Sequence, residues 1–240
     1  MLEALANSET GTMNLSDLSR ALGVPKSSTS SICTALEIGG MIRRDDLGYS
    51  LGRRLVELGG SYLARVDQIS EFYEACAESD VFRNETLRLS TFAGIDTLCL
   101  ARYEGRPAIR LTANIGDRFP ASACAQGKAL LARLDDDEIE RLYHGMPELP
   151  QMTRNSRRSV ARLLKDIRLA RARGFAEDDE EAADNVVGLA VVIPTRGVRA
   201  PILALSVTKL KSTFTEADRA RMVAELQRLS HQLGNPMATV

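Results

Sequence analysis

The stretch LSDLSRALGVPKSSTSSICTALEIGGMIRRDDLGYSLGRR, residues 15–54, decides how the rest of the chain is read. Two short helical patterns, Leu15–Leu22 and Pro25–Ile38, are parted only by Gly23 and Val24, a gap that admits nothing but a sharp turn. In the second pattern Pro25 presets the first-turn φ. At helical spacing, Thr29, Ile32 and Leu36 fall on one side and Lys26, Ser27, Ser30, Ser31 and Thr34 on the other. The expectation is an apolar stripe turned inward and a hydroxyl-rich face able to approach phosphates and base edges.

After Gly39-Gly40, residues Met41 to Arg54 form two strand-like runs around an Asp45-Asp46-Leu47-Gly48 turn, with paired arginines on both flanks. Between Leu18 and Arg54 six Lys/Arg stand against three acids, a local charge of +3 in a chain that carries −1 overall. A hairpin with arginines at its base suits a wing laid along a phosphate backbone. Residues 1–54 therefore read as a winged helix-turn-helix that binds double-stranded DNA. The candidate contacts are Lys26, Ser27, Ser28, Ser30, Ser31 and Thr34 on the helix, and Arg43, Arg44, Tyr49, Arg53 and Arg54 on the wing.

These residues carry a resemblance. Leu22-Gly23-Val24-Pro25-Lys26-Ser27, Leu36, Gly40, Arg44-Asp45 and Gly48-Tyr49-Ser50-Leu51-Gly52 resemble the DNA-binding half of the IclR family of bacterial transcriptional regulators. Farther on, Gly127-Lys128-Ala129-Leu130-Leu131-Ala132, then Arg173-Gly174-Phe175-Ala176 and Asp178-Asp179-Glu180-Glu181, are similar to the effector-domain signatures of that family, in the same order.

Composition agrees with a cytoplasmic two-domain protein: 240 residues, 44% hydrophobic and 26% charged. No apolar run reaches the roughly 18–20 residues that span a bilayer. Cys33, Cys76, Cys99 and Cys124 are scattered without a C-x-x-C pair, and His144 and His231 stand apart, so neither a metal nor a cofactor is expected.

Taken in order, Leu2 and Leu5 begin a short helix ended by Ser8-Glu9-Thr10-Gly11, and the expectation is a helix clipped at its start or a natural start upstream. Apolar residues at Leu55, Leu58, Tyr62, Ile69, Phe72 and Cys76 imply two linker helices over 55–79, packed on their own domain or against a second copy. From Asn84 the period becomes two. Strands are expected at Glu85–Thr91, Thr97–Tyr103, Ala108–Thr112, Phe175–Glu177, Gly188–Pro194 and Ile202–Thr208, and helices near Ala125–Arg133, Asp135–His144, Arg157–Arg173 and Glu216–Leu233. Residues 80–240 thus read as an α+β domain with one antiparallel sheet, for which the resemblance implies a GAF-like or profilin-like effector and oligomerisation domain.

Ser122–Lys128 leads into a helix whose first-turn N–H groups attract an anion, which makes Ala125, Gln126 and Gly127 candidates for binding a carboxylate. A nucleotide loop does not fit, since G-x-x-x-x-G-K-[ST] would need Gly at position 122 and Ser or Thr at 129, where Ser122 and Ala129 stand. The resemblance implies that Asp178, Gly188, Ser206 and Thr208 line a small-molecule site. Two departures bear on the ligand: Gly188 replaces a side chain that commonly touches it, and Ala183-Asp184-Asn185-Val186 replaces a Pro-Gly turn. A third departure is Ser31, at a position often held by Arg.

The function expected is that of a one-component regulator, a dimer or dimer of dimers on a pseudo-palindromic operator, responsive to an organic acid. The rivals are a small-molecule enzyme with a fused DNA-binding head, and a ligand-independent DNA-binding protein. No catalytic residue is assigned, for G-x-S-x-G, H-E-x-x-H and a dinucleotide fingerprint are all absent from the sequence.

Overall fold

The computed structural model describes residues 1–105, 113–197 and 200–234. The chain divides into two compact units, Met1–Arg65 and Val66–Val240.

The first unit contains helices α1 (Leu2–Ala6), α2 (Leu15–Leu22) and α3 (Lys26–Ile38), a hairpin of β1 (Ile42–Asp45) and β2 (Gly48–Leu51), and α4 (Arg54–Leu63). Local chemistry sets its boundaries. The Asn14 side chain accepts from the Ser16 and Asp17 N–H groups and caps α2. Gly23, at φ +65°, ends that helix in the left-handed conformation. The Ser19 hydroxyl then donates to the Val24 carbonyl at 2.7 Å and fixes the turn before Pro25 starts α3. Leu5, Leu18, Cys33, Ile42 and Tyr49 form the core. Met13 exchanges two backbone hydrogen bonds with Tyr49, tying the loop before α2 to the hairpin.

The inward face of α3 differs from the expected stripe. Thr29 and Cys33 are buried and Leu36 is packed against the core, whereas Ile32 is 42% exposed. One residue is a rotation of about 100° around a helix, and Cys33 takes the place that the sequence pattern offers to Ile32.

The second unit opens with α5 (Gln68–Glu78). Strands β3 (Thr86–Ala93), β4 (Asp96–Glu104), β5 (Arg118–Pro120), β6 (Ala176–Asp179), β7 (Val186–Ile193) and β8 (Leu203–Leu210) form an antiparallel sheet in the order β5-β4-β3-β8-β7-β6. Helices α6 (Ala125–Leu131), α7 (Asp136–Leu142) and α8 (Val160–Arg173) interrupt the strands, and α9 (Glu216–Gly234) follows them. Ala190 of β7 and Ala204 of β8 pack with Ala125, Ala129 and Leu130 of α6, small residues that let the helix lie close to the sheet. Their strand neighbours Leu189, Val191, Leu203 and Leu205 point to the other face, and all four are buried. Helices α5 and α9 pack on each other and on the strands there.

The expected strand Ala108–Thr112 lies outside the described residues. Two details depart from the sequence pattern. Strand β5, three residues ending in Pro120, is too short to announce itself and forms by pairing with β4. Helix α8 starts at Val160 and not at Arg157, because the Arg157 guanidinium is held in the preceding loop by Asp166 at 2.7 Å.

Candidate functional site

In the first unit the candidate DNA contacts lie on α3, on the hairpin and, for Arg53 and Arg54, at the start of α4. Lys26, Ser27, Ser28, Ser31 and Thr34 are exposed, and Ser30 is half-buried. The Ser31 hydroxyl donates to the Ser27 carbonyl at 3.2 Å and the Thr34 hydroxyl to the Ser30 carbonyl at 3.0 Å. Both hydroxyls therefore offer lone pairs outward. Arg43, Arg44, Arg53 and Arg54 are exposed, but three of them are engaged. Arg43 Nε donates to Ser50 Oγ at 2.9 Å, the Arg44 guanidinium lies 5.5 Å from the Tyr49 ring centroid, and Arg54 pairs with Glu57.

Tyr49 requires a correction. It is buried in the core of the unit and cannot lie on DNA; its ring instead supports Arg44. Tyr49 shares a face with Ile42 of the antiparallel partner and packs with it against Leu5, Leu18 and Cys33.

In the second unit the sheet register brings distant residues into two adjacent rows. Asp178 is opposite Gly188, Gly188 opposite Thr208, and Thr208 opposite Thr86. In the next row Ala190 faces Ser206, and Ser206 faces Arg88. Above this floor lies a cavity of about 120 Å³, bounded by Arg88, Phe119, Cys124, Gln126, Asp178 and Thr208 among others. Arg88 donates to the Thr208 hydroxyl at 3.1 Å, and its guanidinium lies 5.6 Å from the Phe119 ring centroid. Its Nε is buried and has no hydrogen-bond partner among the described residues. Burial lowers the pKa of Arg88, with neighbouring Cys99, Cys124 and Asp178 opposing that shift.

The residues singled out from the sequence fall around this cavity unequally. The Ala125 N–H does not wait for an external anion, because it donates to Asp178 Oδ2 at 3.1 Å. The chain's own carboxylate thus occupies the first turn of α6, a correction to the expected role of Ala125. Gln126 lines the cavity, whereas Gly127 serves packing: a Cβ there would come within 2.3 Å of Ala121. Gly188 has the same kind of reason, since a Cβ would fall 2.3 Å from Asp178 Oδ2. The missing side chain at 188 is what admits the Asp178 carboxylate. Thr208 lines the cavity. Ser206 is buried beside Arg88 in the next row, its hydroxyl without a partner among the described residues.

Asp178 itself is fully enclosed. Burial raises its pKa, opposed by Lys128 and by N–H donors that include Ala125 and Ala182. Lys128, only 1% exposed, sits beyond it and donates to Asp166 at 2.9 Å, Glu181 at 2.6 Å and the Glu177 carbonyl at 3.4 Å. The two acids respond differently. Burial drives Glu181 up despite Lys128, while at Asp166 the burial effect is outweighed by Arg157 and Lys128, which hold that carboxyl below its usual range. Cys124, at the cavity wall, is pushed up to about 12 by burial and is a thiol at neutral pH.

Sequence reasoning missed Arg88 and Lys128. The available signals were a lone arginine between Leu87 and Leu89 in a strand, and a lysine followed directly by the apolar run Ala129–Ala132. Among the described residues no cluster of three or more His, Cys, Asp or Glu is placed to hold a metal, and no helix is long and apolar enough to cross a membrane.

Residues 1–46 match the IclR helix-turn-helix domain, and residues 62–235 match the family described as bacterial transcriptional regulator IclR C-terminal. The HTH-type transcriptional regulator XynR of Escherichia coli (strain K12) is 29% identical over 238 residues, covering 97% of this chain and 94% of the relative. Among solved structures, an IclR transcriptional regulator from Alicyclobacillus acidocaldarius superposes with a TM-score of 0.82 at 21% identity, covering 97% of this chain and 94% of that one. An IclR homologue from Microbacterium hydrocarbonoxydans, complexed with 4-hydroxybenzoate, gives a TM-score of 0.74 at 22% identity, covering 93% of this chain and 90% of that one. Both share the mixed helix-and-sheet fold. The chain belongs to the IclR family of bacterial transcriptional regulators.

Proposed function

We propose that this regulator grips operator DNA through residues 1–54 and senses a small monocarboxylate in the cavity beneath α6, with residues 55–79 as linker helices and 80–240 as the effector and oligomerisation domain. The observation that carries the effector reading is Arg88, a buried guanidinium whose Nε has no partner among the described residues, beside the Thr208 hydroxyl. A guanidinium fork is matched by a carboxylate, and such charge-assisted bonds are the strong ones. Asp178, Gln126 and Phe119 complete the wall. Arg88 is the one cation among the described lining residues, so the wall matches a single carboxylate, and the Asp178 carboxyl offers a partner for a hydroxyl or amide of the ligand. The cavity is well below the ~300 Å³ of a drug-sized site, which limits the effector to a small metabolite. The relative crystallised with 4-hydroxybenzoate holds a ligand of this class. Cys124, held as a thiol by burial, supports a sensing and not a nucleophilic role.

A dimer, or dimer of dimers, is supported by α4, which buries none of its residues and exposes Val56, Leu58 and Tyr62. Paired heads also lengthen the site that is read.

The test is thermal melting of the full chain with a panel of monocarboxylates, 4-hydroxybenzoate included, and matched dicarboxylates. A monocarboxylate at a hundred times its Kd stabilises the protein by about 2.7 kcal/mol, and Arg88→Met abolishes the shift. Dicarboxylates stabilising more strongly, or Arg88→Met responding like the parent, would overturn this reading.

A further inference from the structure

We propose that Ile32 is a base-reading residue that recognises thymine by its methyl group in the major groove. The inference rests on the DNA-reading role of residues 1–54 and adds the chemistry of what is read.

Beyond Lys26, α3 holds no Arg, Lys, Asn or Gln. The bidentate contacts that identify guanine or adenine are therefore unavailable to its middle turns. What those turns present is settled by the structure. Ile32 stands outside the apolar cluster of the unit, 42% exposed, and its helical neighbours Ser28, Ser31 and Ala35 are all exposed and short, so its methyl groups project beyond them. The hydroxyl protons of Ser31 and Thr34 are committed to carbonyls of their own helix. This surface thus offers methyl groups and lone pairs. In the major groove a thymine–adenine pair displays the complement, a C5-methyl and an N6–H donor, whereas guanine displays two acceptors, which neither the Ile32 methyl groups nor the committed Ser31 and Thr34 hydroxyls satisfy. The local excess of Lys and Arg supplies the attraction to phosphate that brings the helix there.

The test uses the full chain and duplexes enriched from a random-sequence pool, with each thymine replaced in turn by uracil, which lacks only the methyl group. The wild-type protein is expected to lose about fourfold in affinity at a contacted thymine, the worth of one buried methyl-sized group. Ile32→Ala is expected to bind thymine and uracil duplexes equally at that position, and Ile32→Val to keep part of the difference. The uracil scan on wild-type protein stands even if a variant folds poorly. Equal binding of thymine and uracil duplexes at every position overturns the proposal. So does a thymine preference that survives in Ile32→Ala, or a change in that variant confined to self-association. Failure to enrich any sequence overturns the DNA-reading role itself, and this inference with it.

Discussion

The two units hold their candidate sites in opposite ways. In Met1–Arg65 the residues offered to a ligand lie on the outside, over a small core of Leu5, Leu18, Cys33, Ile42 and Tyr49. In Val66–Val240 they lie inside: Arg88, Asp178, Thr208 and Lys128 are all buried, Arg88 bonded to Thr208, Asp178 to the Ala125 N–H and Lys128 to Glu181 and Asp166. A surface site can lose a side chain without losing the fold, since exposed substitutions rarely exceed about 0.5 kcal/mol. A buried polar site cannot, because each group removed leaves a desolvated partner behind.

The largest effect is expected at Lys128. Lys128→Met removes the buried cation shared by Glu181 and Asp166 and leaves them only the half-buried Arg157, and chemical denaturation of the variant should show a loss of about 3–5 kcal/mol. A loss smaller than that of an ordinary surface change would remove the contrast between the units. Next comes Gly188→Ala, whose new methyl meets the Asp178 carboxylate. It should cost about 1–3 kcal/mol and abolish the ligand-induced melting shift while leaving DNA binding in place.

The head should respond in affinity and not in stability. Arg53→Ala is expected to weaken binding to all DNA and to reduce the magnitude of the salt slope by about 1, whereas Ser31→Ala should change preference among sites more than general affinity. Both melting temperatures should stay near that of the parent; titrations at several salt concentrations separate the two effects. The smallest effect concerns acid stability. Asp166 has a lowered pKa in the folded chain, so its contribution is present above the unfolded value of about 3.9 and is lost as pH falls through the folded value. Asp166→Asn should flatten that acid limb. Glu181, raised by burial, acts in the opposite sense, its contribution fading as pH rises through the folded value. Glu181→Gln should therefore leave the acid limb from Asp166 in place.

What the sequence makes legible follows the same division. Gly23, Pro25, the Asp45–Gly48 turn and the paired arginines are local signals, and the head follows from them residue by residue. Its errors are errors of facing: Ile32 points out because Cys33 fits the core, and Tyr49 points in because its ring packs with Leu5, Leu18 and Ile42. In the second unit the elements are legible by period, but the site depends on pairs far apart in the chain. Arg88 meets Thr208 only through the β3–β8 register, and the meaning of Gly188 appears only when Asp178 lies across from it. The acidic run Asp178–Glu181, which looks like a single solvated stretch, is divided by the fold. Asp178 faces the cavity, Glu181 takes Lys128, and Asp179 and Glu180 share Lys211 at the surface.

On the function proposed above, a monocarboxylate bound at Arg88 changes the grip of the head on DNA. It is tested most directly by titrating the full chain with an enriched operator duplex in about 0.15 M salt, with and without each acid of the panel, for wild type and Arg88→Met. One acid is expected to shift DNA affinity by roughly 5- to 150-fold, DNA to shift the affinity for that acid by the same factor, and Arg88→Met to bind DNA without responding. An operator affinity that no acid changes, or a shift that persists in Arg88→Met, would contradict it.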